Sequence, residues 1–431
     1  MRRKTKFKWI LALAPILVIG CGGDDTPTAF PEIPEVENNA PRAFNLLNVP
    51  NAATDVDVTP EFSWEEAIDP DMDDNITYTF YISRDSNPQT AQGIDLVTTS
   101  YQISERLELY ETYYWQVVAK DFLGATTESP VFSFQIRGLS LSEGPLSLSF
   151  GGSFFFDTAV FNNALWYIGG VDSFPTNEVW SSSDGSTWAE ALPSGRIFEP
   201  RFEHTVSTFK NKLFVIGGVN VNIIRNVWST NNGNVWIPEA NPVNFPARRS
   251  HSTVIFDGRM WVIGGIGDAG ALNDVWYTED GVIWEVATSN AEFSPRSHHI
   301  TLIFDDKMWV IGGVGSGFTR LNDIWFSKDG ANWTLATEDP AFPRIERHAG
   351  VVYDNKMWVV GGEITPEPPI SVDSPSNQFW YSKDGINWTL ASLDTDFPGR
   401  LDHTLEIFDG KIWVIGGRAD SGLLDDVWVF D

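Results

Sequence analysis

The chain has 431 residues, of which 42% are hydrophobic and 13% aromatic, with 19 Trp, 29 Phe and 36 Gly. That length leaves room for two or three domains and a sizeable core, and the composition suits many short strands joined by turns, an all-β expectation. A formal charge of −29 repels nucleic-acid phosphate and anionic lipid headgroups and excludes both as general partners.

At the N-terminus Arg2, Arg3, Lys4, Lys6 and Lys8 form a cationic stretch, and Ile10 to Ile19 is a short apolar run. About ten residues fall short of the roughly 20 that span a bilayer core, so the segment reads as a signal peptide. The run ends in Leu17-Val18-Ile19-Gly20-Cys21. That ending resembles the lipobox of bacterial lipoproteins, whose cysteine is lipidated and becomes the first residue after cleavage. The resemblance implies a 1–21 signal peptide, acyl chains on Cys21 and anchoring at a bacterial outer membrane or cell surface. Burial of the acyl chains, at about 0.8 kcal/mol per CH₂, would hold the anchor. Cys21 is the only cysteine, so the mature domains are expected to rely on packing without disulfides.

Residues 22–40 are rich in Pro, Glu, Asp and Asn and read as an extended tether. Residues 41–137 form a separate β unit, because Glu61-Phe62-Ser63-Trp64, Ile76 to Ile82 and Tyr113 to Ala119 alternate apolar and polar residues. The set resembles a fibronectin type III domain. Trp64 takes the place of the family's core Trp, and Tyr113, six residues after Leu107, matches its tyrosine corner. Such a domain implies a spacer or a protein contact. Within it Asp69, Asp71 and Asp73 alternate as calcium ligands do, but Asp74 and Phe80 stand where an EF-hand loop has Gly and Glu. An acidic turn before a strand is the simpler reading, leaving only a weak case for calcium and no other cofactor or metal.

From residue 138 a period of about 48 residues takes over. Gly-Gly pairs fall at 169–170, 217–218, 264–265, 312–313, 361–362 and 416–417. Three residues before each pair stands Trp166, Phe214, Trp261, Trp309, Trp358 or Trp413, and after each comes Trp180, Trp228, Trp276, Trp325, Trp380 or Trp428. A second Trp follows in the first five units, at 188, 236, 284, 333 and 388, behind an Asp-Gly or similar turn that resembles a shortened Asp-box. Six units with four strand-like stretches each read as propeller blades. The double Gly and following aromatic resemble the kelch repeat, so 138–431 is expected to be a six-bladed kelch-type β-propeller. Gly-Gly is expected to end the second strand where backbones come too close for a Cβ. The sixth unit stops after its third strand, and Gly144 to Phe150 is the expected source of its fourth, which would leave no sheet edge open.

His204, His251, His299, His348 and His403 each precede a Gly-Gly pair by 13 residues, with Phe156 at the sixth place, and Arg201, Arg248, Arg296 and Arg400 stand three residues earlier. Spread evenly round a ring, these histidines lie too far apart to share one metal. They match the kelch pattern Arg-x-x-His and read as architecture. Recognition is expected where register is kept but identity changes. Glu203, Ser250, His298, Arg347 and Asp402 immediately precede the histidines, and Val171, Val219, Ile266, Val314, Glu363 and Arg418 immediately follow the glycines. Arg347, Glu363, Asp402 and Arg418 are the candidate ligand-binding residues, at one channel mouth on blades five and six, overhung by the Pro-rich insertion Ile364 to Asn377.

These features favour a surface lipoprotein that binds a protein or glycan through its propeller face over an enzyme. Resemblance to galactose oxidase would require a Tyr–Cys crosslink, and Cys21 is committed to the anchor. The sialidase Phe-Arg-Ile-Pro motif is absent, Phe342-Pro343-Arg344-Ile345 being a scrambled likeness. A carbohydrate-active enzyme such as a sialic-acid mutarotase, a six-bladed kelch propeller needing only a few acid–base groups, is the alternative, with Glu363 or Asp402 beside Arg347.

Overall fold

The computed structural model describes residues 38–71, 75–240, 243–365, 374–393 and 395–431. Cys21, the tether before residue 38, Asp73 and most of the 364–377 insertion lie outside them. The described chain is all-β, and its one helical turn is the 3₁₀ segment Ser316–Phe318.

Residues up to Ile136 build two sheets that face each other. Leu46–Asn48, Glu61–Trp64 and Ser100–Gln102 form one, and the other is built round Thr77–Ser83 and Thr112–Lys120. The alternating pattern of Thr77–Ser83 buries Tyr78, Phe80 and Ile82. Trp64, Phe80, Trp115 and Phe134 meet in the core between the sheets. Tyr113 is buried, and its hydroxyl accepts the Glu108 N–H at 3.2 Å. Asp71 accepts both the backbone and side-chain N–H of Asn39, and Asp69 accepts the Asp71 N–H at 2.8 Å. Asp69 thus caps a local turn, while Asp71 ties down the start of the described chain.

Six four-stranded antiparallel sheets follow. Blade four is typical, with strands Ile300–Phe304, Lys307–Val314, Arg320–Ser327 and Thr334–Thr337 running outward from the axis. The second strands are apolar on both sides because a blade lies against each face; Met308 to Ile311 are buried throughout. Blade six takes its fourth strand from Leu141–Ser147, which pairs with Asp426–Phe430. The closing strand lies three residues earlier than Gly144 to Phe150. Reciprocal hydrogen bonds between Ser140 and Asp431 set the start of the pairing, and the register slips between Leu141 and Glu143 and again across Gly144-Pro145. Closure nonetheless joins the two ends of the propeller in one sheet.

The glycine pairs are more than strand ends. In blades three and four the second strand runs through them to Gly267 and Val314, with a slip in register at the pair. Gly361 shows the constraint: its φ is +64°, and a Cβ there would stand 2.5 Å from His403 Cε1 of the next blade. The five repeated histidines are thus packing pieces wedged against the preceding blade's glycines. Burial holds all five imidazoles below their ordinary pKa, His204 and His348 at about 3, so they are neutral. Arg201, Arg248, Arg296 and Arg400 are fully buried spokes, each donating to the carbonyl of the first glycine of its own blade's pair. Three of them also clamp a carboxylate with two N–H groups, on Asp274, Asp323 and Asp426.

Candidate functional site

The residue immediately before each repeated histidine holds a left-handed backbone, with φ from +51° to +57° at Phe155, Glu203, Ser250, His298, Arg347 and Asp402. L-residues rarely adopt that region singly, let alone six times in register. The compensation is a belt of hydrogen bonds round the axis. Glu203 N–H donates to Phe155 C=O, Ser250 to Glu203, His298 to Ser250, Arg347 to His298 and Asp402 to Arg347, at 2.9–3.1 Å. This belt draws six side chains of different chemistry together at one mouth of the channel.

A second tier surrounds it. Each residue two before the histidine position pairs with the residue just after its own blade's glycines: Phe154 with Val171, Phe202 with Val219, Arg249 with Ile266, Ser297 with Val314, Glu346 with Glu363 and Leu401 with Arg418. The positions after the glycines are therefore strand neighbours of the place two before each histidine, next in sequence to the belt.

Between the tiers runs a chain of close polar contacts, its charged side chains alternating in sign on either side of His298. Arg249 pairs with Glu203, whose other oxygen lies 3.6 Å from His298 Nε2. His298 Nδ1 is 4.0 Å from Glu346, which also receives Arg320 at 2.9 Å and Arg347 at 3.7 Å. Arg320 continues to Glu363 at 3.1 Å. Arg347 lies 3.9 Å from Asp402, which accepts Arg418 Nε at 2.9 Å. Burial would raise the Glu203 carboxyl, but His298, Arg249 and Ser250 outweigh it and hold the group down at about 2. At Asp402 burial wins over Arg347 and Arg418, and its pKa is raised to about 6.

Arg347, Asp402 and Arg418 thus meet directly, while Glu363 joins them only through Arg320 and Glu346. Four more members, Arg249, Arg320, Glu346 and Phe155, went unnoticed in the sequence. Arg249 and Glu346 lie two residues before their histidines, where identity also changes from blade to blade, and that was the available signal. Phe155 holds the same belt position in blade one, before Phe156. Its ring stands 5.2 Å beneath the Arg347 guanidinium and 6.1 Å from His298 of blade four, across the axis from its own blade.

Beside this centre lies a cavity of about 520 Å³ with Ile266, Val314 and Phe318 on its apolar side and Arg249, His298 and Arg347 on its polar side. His298 Nε2 and Arg347 Nε are buried there without a hydrogen-bond partner. At the tips of the loops after the glycines in blades one, two and four, Phe174, Val221 and Phe318 are 78%, 89% and 93% exposed. Deeper in, on the innermost strands of blades one and six, Asp157 accepts the Val206 N–H at 2.6 Å and Glu406 accepts the Thr158 hydroxyl at 2.8 Å. Burial pushes Asp157 up to about 7 and Glu406 up to about 8, the charge of Asp157 adding to the latter. Among the described residues no group of three or more His, Cys, Asp or Glu side chains is placed to hold a metal ion.

Comparison with known proteins agrees with this architecture. A family model for the KLHDC2/KLHL20/DRC7 Kelch-repeats domain matches residues 156–362, and one for the DUF6242 beta propeller domain matches residues 304–429. The chain therefore carries kelch repeats in a β-propeller. Among solved structures it is similar to one titled "Structure of YjhT", with a TM-score of 0.54 and 15% identity over 67% of this chain and 96% of that one, a likeness of fold alone. No curated protein matches the chain.

Proposed function

We propose that the propeller is a binding module whose charged mouth recognises a protein or glycan ligand, displayed by a lipoprotein anchored through Cys21 at a bacterial outer membrane or cell surface. On this reading residues 41–137 are a fibronectin type III-like domain that carries the propeller. The observation that carries the binding role is unspent hydrogen-bonding capacity beside exposed apolar tips. Arg347 Nε and His298 Nε2 are buried without a hydrogen bond, with carboxylate oxygens of Glu346 and Glu203 no closer than 3.7 and 3.6 Å, and Phe318 stands open on the other side of the same cavity. A buried polar atom without a hydrogen bond is costly, and a ligand that supplies the missing hydrogen bond removes the cost. Arginine and aromatic anchors in one patch are the usual energetic centre of an interface. The ligand therefore presents an anionic or acceptor-rich group to Arg249, Arg347 and Arg418 and an apolar surface to Phe318.

Asp402, raised to about 6 beside Arg347 and Arg418, supports the second reading, a sugar mutarotase or other carbohydrate-active enzyme, since such a carboxyl can exchange a proton near neutral pH. Glycan and peptide arrays, probed with the Cys21→Ser chain and with its Arg347→Ala and Arg418→Ala variants, test the site. Hits lost in both variants are expected, and hits that survive both remove the mouth as the site. NMR of anomer exchange on any sugar hit separates the two readings: acceleration abolished by Asp402→Asn favours catalysis, and no acceleration favours binding alone.

A further inference from the structure

In five blades the second-strand aromatic is capped from the next blade by the glycine of its Asp-Gly or Asn-Gly turn. A Cβ on Gly233, Gly281, Gly330, Gly385 or Gly185 would lie 2.0–2.4 Å from Trp166, Phe214, Trp261, Trp309 or Trp413. Blade six has no such turn, because its fourth strand is Leu141–Ser147 from the other end of the chain. The aromatic left without its cap is Trp358 of blade five, and it is nevertheless fully buried. Tyr110, from the N-terminal domain, fills the place. Its ring stacks on Tyr381 at 4.7 Å and lies 6.3 Å from Trp358, and its hydroxyl accepts the Leu139 N–H at 2.9 Å.

Polar contacts fasten the same junction. Asp354, in the turn between the first two strands of blade five, accepts the Leu109 N–H at 2.6 Å and pairs with Arg106 at 2.5 Å. Lys356 has a fully buried side chain, with its ammonium 3.1 Å from Asp354, 3.9 Å from Glu111 and 4.0 Å from Glu108. Glu111 also pairs with Lys383. A buried ammonium without such partners would carry a desolvation penalty of several kcal/mol.

We infer that the N-terminal domain is a fixed pedestal and not a loose spacer: it supplies the missing wedge of the propeller at blade five and is fastened there by the Asp354 and Lys356 contacts.

Two nitroxide labels in the Cys21→Ser chain, placed by Asn87→Cys and Lys328→Cys at exposed positions of the two domains, test this by pulsed electron resonance. One narrow distance distribution is expected, and it should broaden in Tyr110→Ala and in the surface variant Lys383→Glu. A broad distribution in the parent overturns the pedestal, and a narrow one unchanged by both variants overturns the assignment to this dock. Deuterium exchange of 356–360 should accelerate severalfold in Tyr110→Ala; unchanged exchange there overturns the wedge role.

Discussion

Arg248→Met is the sharpest test of the spoke that links each repeat to its glycines. The guanidinium is fully buried and stacked on Phe245 at 5.2 Å. It donates to Gly264 C=O at 2.8 Å, to the two Asp274 oxygens at 2.9 and 2.8 Å, and to Pro246 C=O at 3.3 Å. Met keeps most of the packing volume and removes every donor. Breaking a buried ion pair from one side costs about 3–5 kcal/mol. Asp274 keeps the Trp276 N–H at 2.7 Å and 11% of its side-chain exposure, which places the loss near the lower end. The orphaned Gly264 carbonyl adds about 1 kcal/mol, for a total of about 4 kcal/mol. Urea denaturation followed by tryptophan fluorescence reads this as a lower midpoint at unchanged slope. Arg248→Met/Asp274→Leu should regain about half, because the stranded charge is then gone. A single variant within about 0.5 kcal/mol of the parent would refute the reasoning.

Other consequences can be checked on the same footing. Gly361→Ala forces a Cβ into a left-handed position 2.5 Å from His403 and 2.8 Å from the Arg400 carbonyl; it should cost more than about 3 kcal/mol by thermal melting, the left-handed backbone alone accounting for about 1–2 of that. Asp157 and Glu406 hold their protons more tightly folded than unfolded, since burial raises them to about 7 and about 8. Their contribution to stability is full below pH about 4 and is lost as pH rises towards 8. Asp157→Asn and Glu406→Gln should therefore raise the melting temperature at pH 8 relative to the parent and flatten its fall between pH 5 and 8; an unaltered pH profile would count against a raised pKa at either group.

The repeat was legible because its architecture is written in residue types that nothing else can replace. Glycine pairs at positive φ, the histidines wedged against them and the outer Trp residues recur at one spacing, so blade number and order followed from the chain alone. Closure was legible only to within three residues, because the Ser140–Asp431 pairing that sets its register leaves no periodic mark. The mouth was legible in part. Arg347, Asp402 and Arg418 were found as departures from the repeat, yet Glu346 and Arg249 depart from it equally, one place further from the histidine. What connects them is the pairing of that place with the residue after the glycines, a relation across strands that linear spacing does not display. The N-terminal dock was not legible at all. Tyr110 and Lys356 belong to different domains 246 positions apart, and the need for Tyr110 arises from an Asp-box that blade six lacks.

The central claim is that recognition occurs at the mouth ringed by Phe155, Glu203, Ser250, His298, Arg347 and Asp402. Deuterium exchange on the Cys21→Ser chain, with and without the strongest glycan or peptide found on the arrays, tests it most directly. The account predicts protection concentrated in 314–320, 345–348 and 400–403. Protection confined to the N-terminal domain, or to the turns at the opposite face such as 354–356, would contradict it.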